Sequence, residues 1–230
     1  MMADVKIGEK WMKSEFDFIL SSKSISTPEP NFVFIEIPGT SDVIDLSESV
    51  SGDVEYKQRK ISIVFETKLW ANAYHSIYSK LANYIQGRKL KIVFNKDPGY
   101  YWIGRLAIAD VKQHNSGQTI TLTATVDPYK YETQSSLEPW EWDSFSFEDG
   151  IIRDYFDIAV PGSLTIIGRR KRVCPMFICS NAMTVTYLGN TYNLVTGQNT
   201  IPDIFLGEGE HVLTFGGSGT VDVDYRGASL

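Results

Sequence analysis

Only one stretch of this 230-residue chain repeats with the period of an α-helix, and almost everything else that repeats does so with period two. After Thr67, the residues Leu69, Trp70, Ala73, Tyr74, Ile77, Tyr78, Leu81, Tyr84 and Ile85 recur at steps of three and four, which predicts one amphipathic helix. Thr67 suits its N-cap and Gly87 a left-handed C-cap, with Arg88 and Lys89 close to the negative end of the dipole. The clearest period-two run is Thr119 to Val126, with Ile120, Leu122, Ala124 and Val126 on one face and four threonines on the other. Ile61, Ile63 and Phe65 alternate in the same way, as do Leu90, Ile92 and Phe94. The chain is therefore expected to be mainly β. The helix needs a partner for its stripe, and the inner face of the sheet is the surface of matching size.

Turn chemistry orders the strands. Asp97-Pro98-Gly99 precedes the run Tyr100 to Val111, and Asn115-Ser116-Gly117 precedes the threonine strand, which predicts an antiparallel meander. Asn31 to Ile37 and Val43 to Leu46 read as two strands around Pro38-Gly39-Thr40. Residues 1–130 balance 16 Lys and Arg against 15 Asp and Glu, whereas 131–230 carry 6 against 13, so the charge shifts midway. At the same place an acidic, aromatic stretch from Gln134 to Asp157 reads as a linker. Two domains are expected, 1–133 with the helix and 134–230 as a small β-sandwich of short strands separated by Gly, Pro or Asn turns.

Several chemistries lack their residues. The sequence has no phosphate loop, dinucleotide fingerprint, His-Glu-x-x-His or nucleophile elbow. His75, His114 and His211 are far apart, and Cys174 and Cys179 are five residues apart with no histidine near, which is not zinc spacing and leaves two free thiols. A net charge of −6 without a basic stripe argues against gripping a phosphate backbone, and the run Arg169 to Arg172 reads as a solvated turn or a protein contact. No apolar run approaches the roughly 18 residues of a membrane helix, and the first residues lack a signal-peptide block, so folding in the cytoplasm without membrane insertion is expected. The glycines from Gly207 to Gly219 lie between strands and read as tight turns. Trp140, Trp142 and Tyr187 are candidate sugar-stacking rings, and Glu141 or Asp143 candidate glycosidase carboxylates, although Trp-Glu-Trp-Asp also describes a strand with rings inward and carboxylates outward.

Four local runs carry a resemblance to a known family. They are Gly52-Asp53-Val54-Glu55-Tyr56 with Arg59 to Phe65, Tyr84 to Ile92, Tyr101-Trp102-Ile103-Gly104-Arg105-Leu106, and Asp127-Pro128-Tyr129-Lys130-Tyr131. In order and spacing they resemble the distal tail (Dit) proteins of long-tailed siphophages. Ile201 to His211, Leu213-Thr214-Phe215 and Val223 to Arg226 resemble the last strands of that family's galectin-like domain.

The resemblance implies a structural virion protein rather than an enzyme, with no cofactor, catalytic residue or metal. It implies an N-terminal, sandwich-like domain that closes with five copies into a hexameric ring, and an outward C-terminal galectin-like sandwich. Such a hub is assembled in the host cytoplasm, sits at the tail tip and joins the tail tube protein to a tail-associated tip, lysin or fibre protein. DNA passes through the channel without specific binding, so short polar or acidic residues are expected to line it. A closed ring needs a head-to-tail interface. The regions expected to bear it are the hairpin, represented by Asn31, Phe34, Ile37 and Leu46, and the helix, represented by Leu69, Tyr74, Tyr78 and Ile85. The alternative, a module binding host cell-wall saccharide, would use the C-terminal sandwich. A glycan-binding insertion has no room in this chain.

Overall fold

The computed structural model describes residues 3–39, 41–49, 52–68, 71–114, 117–139 and 150–230 and, for 71–74, the backbone alone. The chain is mainly β, as its periodicity predicts, and divides into two units: Met1–Lys96 with Trp102–Pro128, and Asp97–Tyr101 with Tyr129–Leu230.

Unit 1 contains β1 (Val5–Ile7), β2 (Lys10–Trp11), α1 (Met12–Phe16), β3 (Ile19–Ile25), β4 (Phe34–Glu36), β5 (Val43–Asp45), β6 (Arg59–Thr67), α2 (Ala71–Ile85), β7 (Lys89–Phe94), most of β8 (Tyr100–His114) and β9 (Gly117–Val126). Its sheet runs β2-β1-β7-β8-β9-β6-β3, with antiparallel neighbours throughout. Alternation sets what is buried. Ile61, Ile63 and Phe65 from β6 and Ile120, Leu122, Ala124 and Val126 from β9 share one face with Ile92, Phe94, Trp102 and Leu106. Leu81 and Ile85 of α2 join the same core, so the helix stripe covers the sheet face that the period predicts.

Two details add to the sequence expectation. Thr67 is the last residue of β6 and continues the stripe Ile61, Ile63, Phe65 into the buried interior, while its expected role as the cap of α2 falls at residues 69 and 70, outside the described residues. The C-terminal end behaves as expected, because Gly87 takes φ 71°, and a cation does reach it: Arg105 of β8 donates to the Gly87 carbonyl at 3.0 Å. The second is α1, which at five residues is too short to display a period. Its Met12 and Phe16 are buried in the core, and Asp17 ends it at φ 54°.

Unit 2 contains β10 (Lys130–Glu132), β11 (Ile158–Gly168), β12 (Met176–Cys179), β13 (Met183–Tyr187), β14 (Asn190–Leu194), β15 (Gly197–Thr200), β16 (Gly209–Asp224) and β17 (Ala228–Ser229). The long β16 organises it. One side of β16 pairs with β11; the other pairs with β13 along Thr214 to Gly217 and then with β12 along Val221 to Asp224. The change of partner falls on Gly217 and Gly219, at φ 121° and 115°. These glycines are therefore not turns between two strands, as the sequence suggests, but bends inside one strand, where a side chain would be strained. Phe177, Val185, Leu213, Phe215, Val221 and Val223 form the core so enclosed.

Candidate assembly surfaces

Strands β4 and β5 pair only with each other, Ile35 opposite Ile44 and Phe34 opposite Asp45, so their side chains meet solvent on both faces. One face carries Val33, Ile35, Ile37 and Ile44; the other carries Phe32, Phe34, Glu36, Val43 and Asp45. Phe34 is 57% exposed and Ile35 50%, and Phe32 and Phe34 stand with ring centroids 5.9 Å apart. An isolated two-stranded hairpin is marginal in water, and one that displays this much apolar surface is built to be covered. Its root is tied down. Asn31 N–H donates to Glu55 O at 2.8 Å, Lys57 N–H to Glu29 O at 2.9 Å, and Ser26 N–H to Lys60 O at 2.9 Å, beside the β3–β6 edge of the sheet. Leu46, half-buried, extends the ladder by donating to Val33 O. Ser47 donates through its amide and hydroxyl to Asp45, which holds that carboxyl below the usual range and keeps it charged.

The sheet face of unit 1 turned away from the core has two halves. Along β2, β1, β7 and the start of β8 in this unit it presents Trp11, Lys6, Val93, Lys91, Ile103 and Arg105. Along β9, β6 and β3 it presents Thr119, Thr121, Thr123 and Thr125 with Ser62, Ser22 and Ser24, and among them Lys60, Val64 and Glu66. The first half is basic and apolar; the second is dominated by hydroxyls.

Of the helix residues expected to face a neighbour, Ile85 is fully buried in the chain's own core and Tyr78 packs partly against it. Tyr74 lies in α2, and Leu69 falls outside the described residues. Hairpin residues Asn31, Phe34 and Ile37 are exposed.

In unit 2, Tyr129, Lys130 and Tyr131 of the Asp-Pro-Tyr-x-Tyr run land in a layered stack. Tyr131 lies on Tyr101 at 5.6 Å; the Lys171 ammonium is 4.6 Å from the Tyr131 ring and 5.7 Å from that of Tyr129. Lys130 sits 4.0 Å over Tyr100 and 3.0 Å from Asp97. Next to this stack the buried Glu132 accepts from Arg153, from Arg169 Nε at 2.9 Å and from Gly227 N–H at 3.0 Å. Arg226 donates to the carbonyls of Glu132 and Thr133. The basic run is thus a protein contact: Arg169 meets Glu132, Lys171 meets the tyrosines, and Arg172 stacks 5.3 Å over Phe205. No signal in the sequence marks Glu132, whose partners lie 21 and 37 residues away along the chain.

Tyr187 is not a stacking platform. It is 7% exposed, packs in the core and places its hydroxyl 2.8 Å from His211 Nδ1. Trp140, Trp142, Glu141 and Asp143 fall outside the described residues. His75, His114 and His211 stand on α2, at the end of β8 and on β16, and the described residues contain no group of three His, Cys, Asp or Glu side chains able to hold a metal. Cys174 and Cys179 are free thiols, both pushed up by burial.

Neither a family model nor a curated protein matches this chain. Its fold is that of a phage distal tail protein. It matches the crystal structure of Dit (gp 19.1) of phage SPP1, with a TM-score of 0.57 over 98% of this chain and 99% of that one, at 12% sequence identity. That protein is described as a paradigm of the hub adsorption apparatus in phages that infect Gram-positive bacteria. At this identity the likeness is one of fold.

Proposed function

We propose that this chain is a structural hub at the tip of a long phage tail. Six copies close into a ring that joins the tail tube to a tip, lysin or fibre protein and leaves a channel for DNA. The observation that carries this reading is the fold match, which covers both chains almost end to end and so includes both units rather than one common β module. Unit 1 supplies what a closing, head-to-tail interface needs: a projecting apolar hairpin rooted at one edge of a sheet whose other edge differs from it. The role is mechanical and electrostatic, not catalytic.

The hydroxyl half of the sheet face suits the channel wall. Its serine and threonine hydroxyls offer DNA exchangeable hydrogen bonds, and along β6 its one cation, Lys60, is matched by one acid, Glu66, so the face carries no basic stripe to hold phosphates in place. Lysines placed at Thr121 and Thr123 are expected to slow DNA release from assembled particles. Release at the normal rate would remove this face from the channel. The ring itself is tested by negative-stain averages of the purified protein: six-fold particles with a central hole are expected, and featureless particles of single-chain size count against it.

A further inference from the structure

The charges on the outer face of the unit 1 sheet are sorted by level. Lys60 and Glu66 balance in number along β6, but six residues of strand separate them, about 20 Å, which is beyond the reach of screened charges. Across the strands, Lys89 of β7 stands opposite Arg105 of β8, Arg105 opposite Thr125 of β9, and Thr125 opposite Lys60 of β6, so one row holds three exposed cations and no acid. Arg105 also donates to the Gly87 carbonyl, a contact that leaves its charge in place. Among the described residues no carboxylate forms an ion pair with Lys60, Lys89 or Arg105. On one side of this row Lys91 stands opposite Ile103, and Asp127 N–H donates to Ile103 O, so that level carries one charge of each sign. On the other side Ala107, Thr123, Ser62 and Ser24 form an uncharged row. Beyond it come Asp110, Lys112 and Glu66, a net negative level in which Asp110 and Lys112 pair at 3.3 Å.

We infer that this row is one segment of a cationic collar, in which Lys89, Arg105 and Lys60 touch the phosphate backbone of DNA at a single level of the channel wall. The inference rests on the ring reading and adds to it the place where DNA is touched. Neighbouring strands lie about 4.8 Å apart, so the row reaches about 14 Å across the sheet, and each copy in a ring contributes the same row. A stripe of cations along the DNA path would hold many phosphates together. With the strands running along the channel, a row across them meets only the phosphates level with it, and these exchange as the duplex advances. Thr125, between Arg105 and Lys60, adds a hydroxyl donor to the same level. The uncharged row next to it and the acidic level beyond offer the backbone no cationic hold, so the wall attracts DNA at one end and not at the other. Net charge hides this, because the two ends nearly cancel.

Fluorescence anisotropy of a short fluorescein-labelled DNA duplex tests this on the full chain over a salt series, with light scattering reporting the assembly state and circular dichroism the fold. Lys60→Gln with Lys89→Gln is expected to weaken binding about tenfold at low salt and to flatten the plot of log affinity against log salt by about 2 or more. Lys57→Gln with Lys112→Gln removes the same charge from exposed positions outside the row and is expected to stay within about twofold of wild type. If the first variant fails to fold, Lys60→Gln alone serves, with a slope change of about 1. A ring that binds the duplex equally well with and without the row lysines, that both lysine pairs weaken alike, or that leaves the duplex free at low salt overturns the collar while the ring reading stands. A wild type that is monomeric at every concentration overturns the ring reading and the collar with it.

Discussion

Gly104 sits where β8 and β9 approach each other: a Cβ built on it would lie 2.1 Å from Thr125 O and 2.6 Å from Val126 Cα. Gly104→Ala must push the two strands apart and is expected to cost about 1–3 kcal/mol or more in urea unfolding. The Tyr-x-Gly-Arg run makes this glycine visible in the sequence, but its reason is the neighbouring backbone, which no single segment displays. Glu132 is the opposite case, an unremarked acid that unit 2 is built around. Glu132→Gln leaves Arg153 and Arg169 buried without their counter-charge and is expected to cost about 3 kcal/mol, whereas Glu138→Gln, on a half-exposed carboxylate 3.8 Å from Arg226, costs under about 1 kcal/mol. Chemical denaturation of both variants checks the contrast. Tyr225 gives a pH test. Burial raises its phenol above the ordinary 10.0, so the fold favours the neutral ring. Stability from Tyr225 is complete below pH 10 and is lost as pH rises through the folded value. Absorbance titration at alkaline pH is expected to show Tyr225 ionising late, in step with loss of structure. A Tyr225 signal at the ordinary position would contradict its burial.

At the scale of elements, strands were legible wherever one face is apolar and the other polar. β6, β7 and β9 follow directly from alternation, because a strand that is half-buried must alternate. α2 was legible for the same reason at a different period, and Thr67 shows how one residue can serve two patterns: it has the chemistry of a cap and also continues the buried stripe of β6. The bends in β16 were missed because glycines that kink a strand and glycines that end one look alike in sequence; only the switch of partner from β13 to β12 separates them. The hairpin was legible as two strands, but its exposure was not, since apolar residues in sequence say "buried" without saying against which chain. Phe34→Ser with Ile35→Ser is therefore expected to leave the unfolding free energy of a dilute, dissociated sample within about 0.5 kcal/mol of wild type. The same variant is expected to weaken association. A large loss of monomer stability would instead place the hairpin in the chain's own core.

For the molecule as a whole, composition argues against nucleic-acid gripping and the sequence carries no familiar catalytic pattern, and neither says what the chain builds. That needed the order of several weak local runs, and then the fold that both units share with SPP1 Dit. The make-up of the sheet face was illegible for a physical reason: Trp11, Lys6, Val93, Lys91 and Ile103 come from four strands, and only the order of strands in the sheet brings them to one face. The central claim is that copies of the chain close into a ring. Light scattering on the wild-type protein across a wide concentration range tests it most directly. The account predicts a plateau at six times the 25.9 kDa chain mass with no larger species, because a closed ring has no free end. A mass that stays at one chain, or that keeps growing with concentration without a plateau, would contradict it.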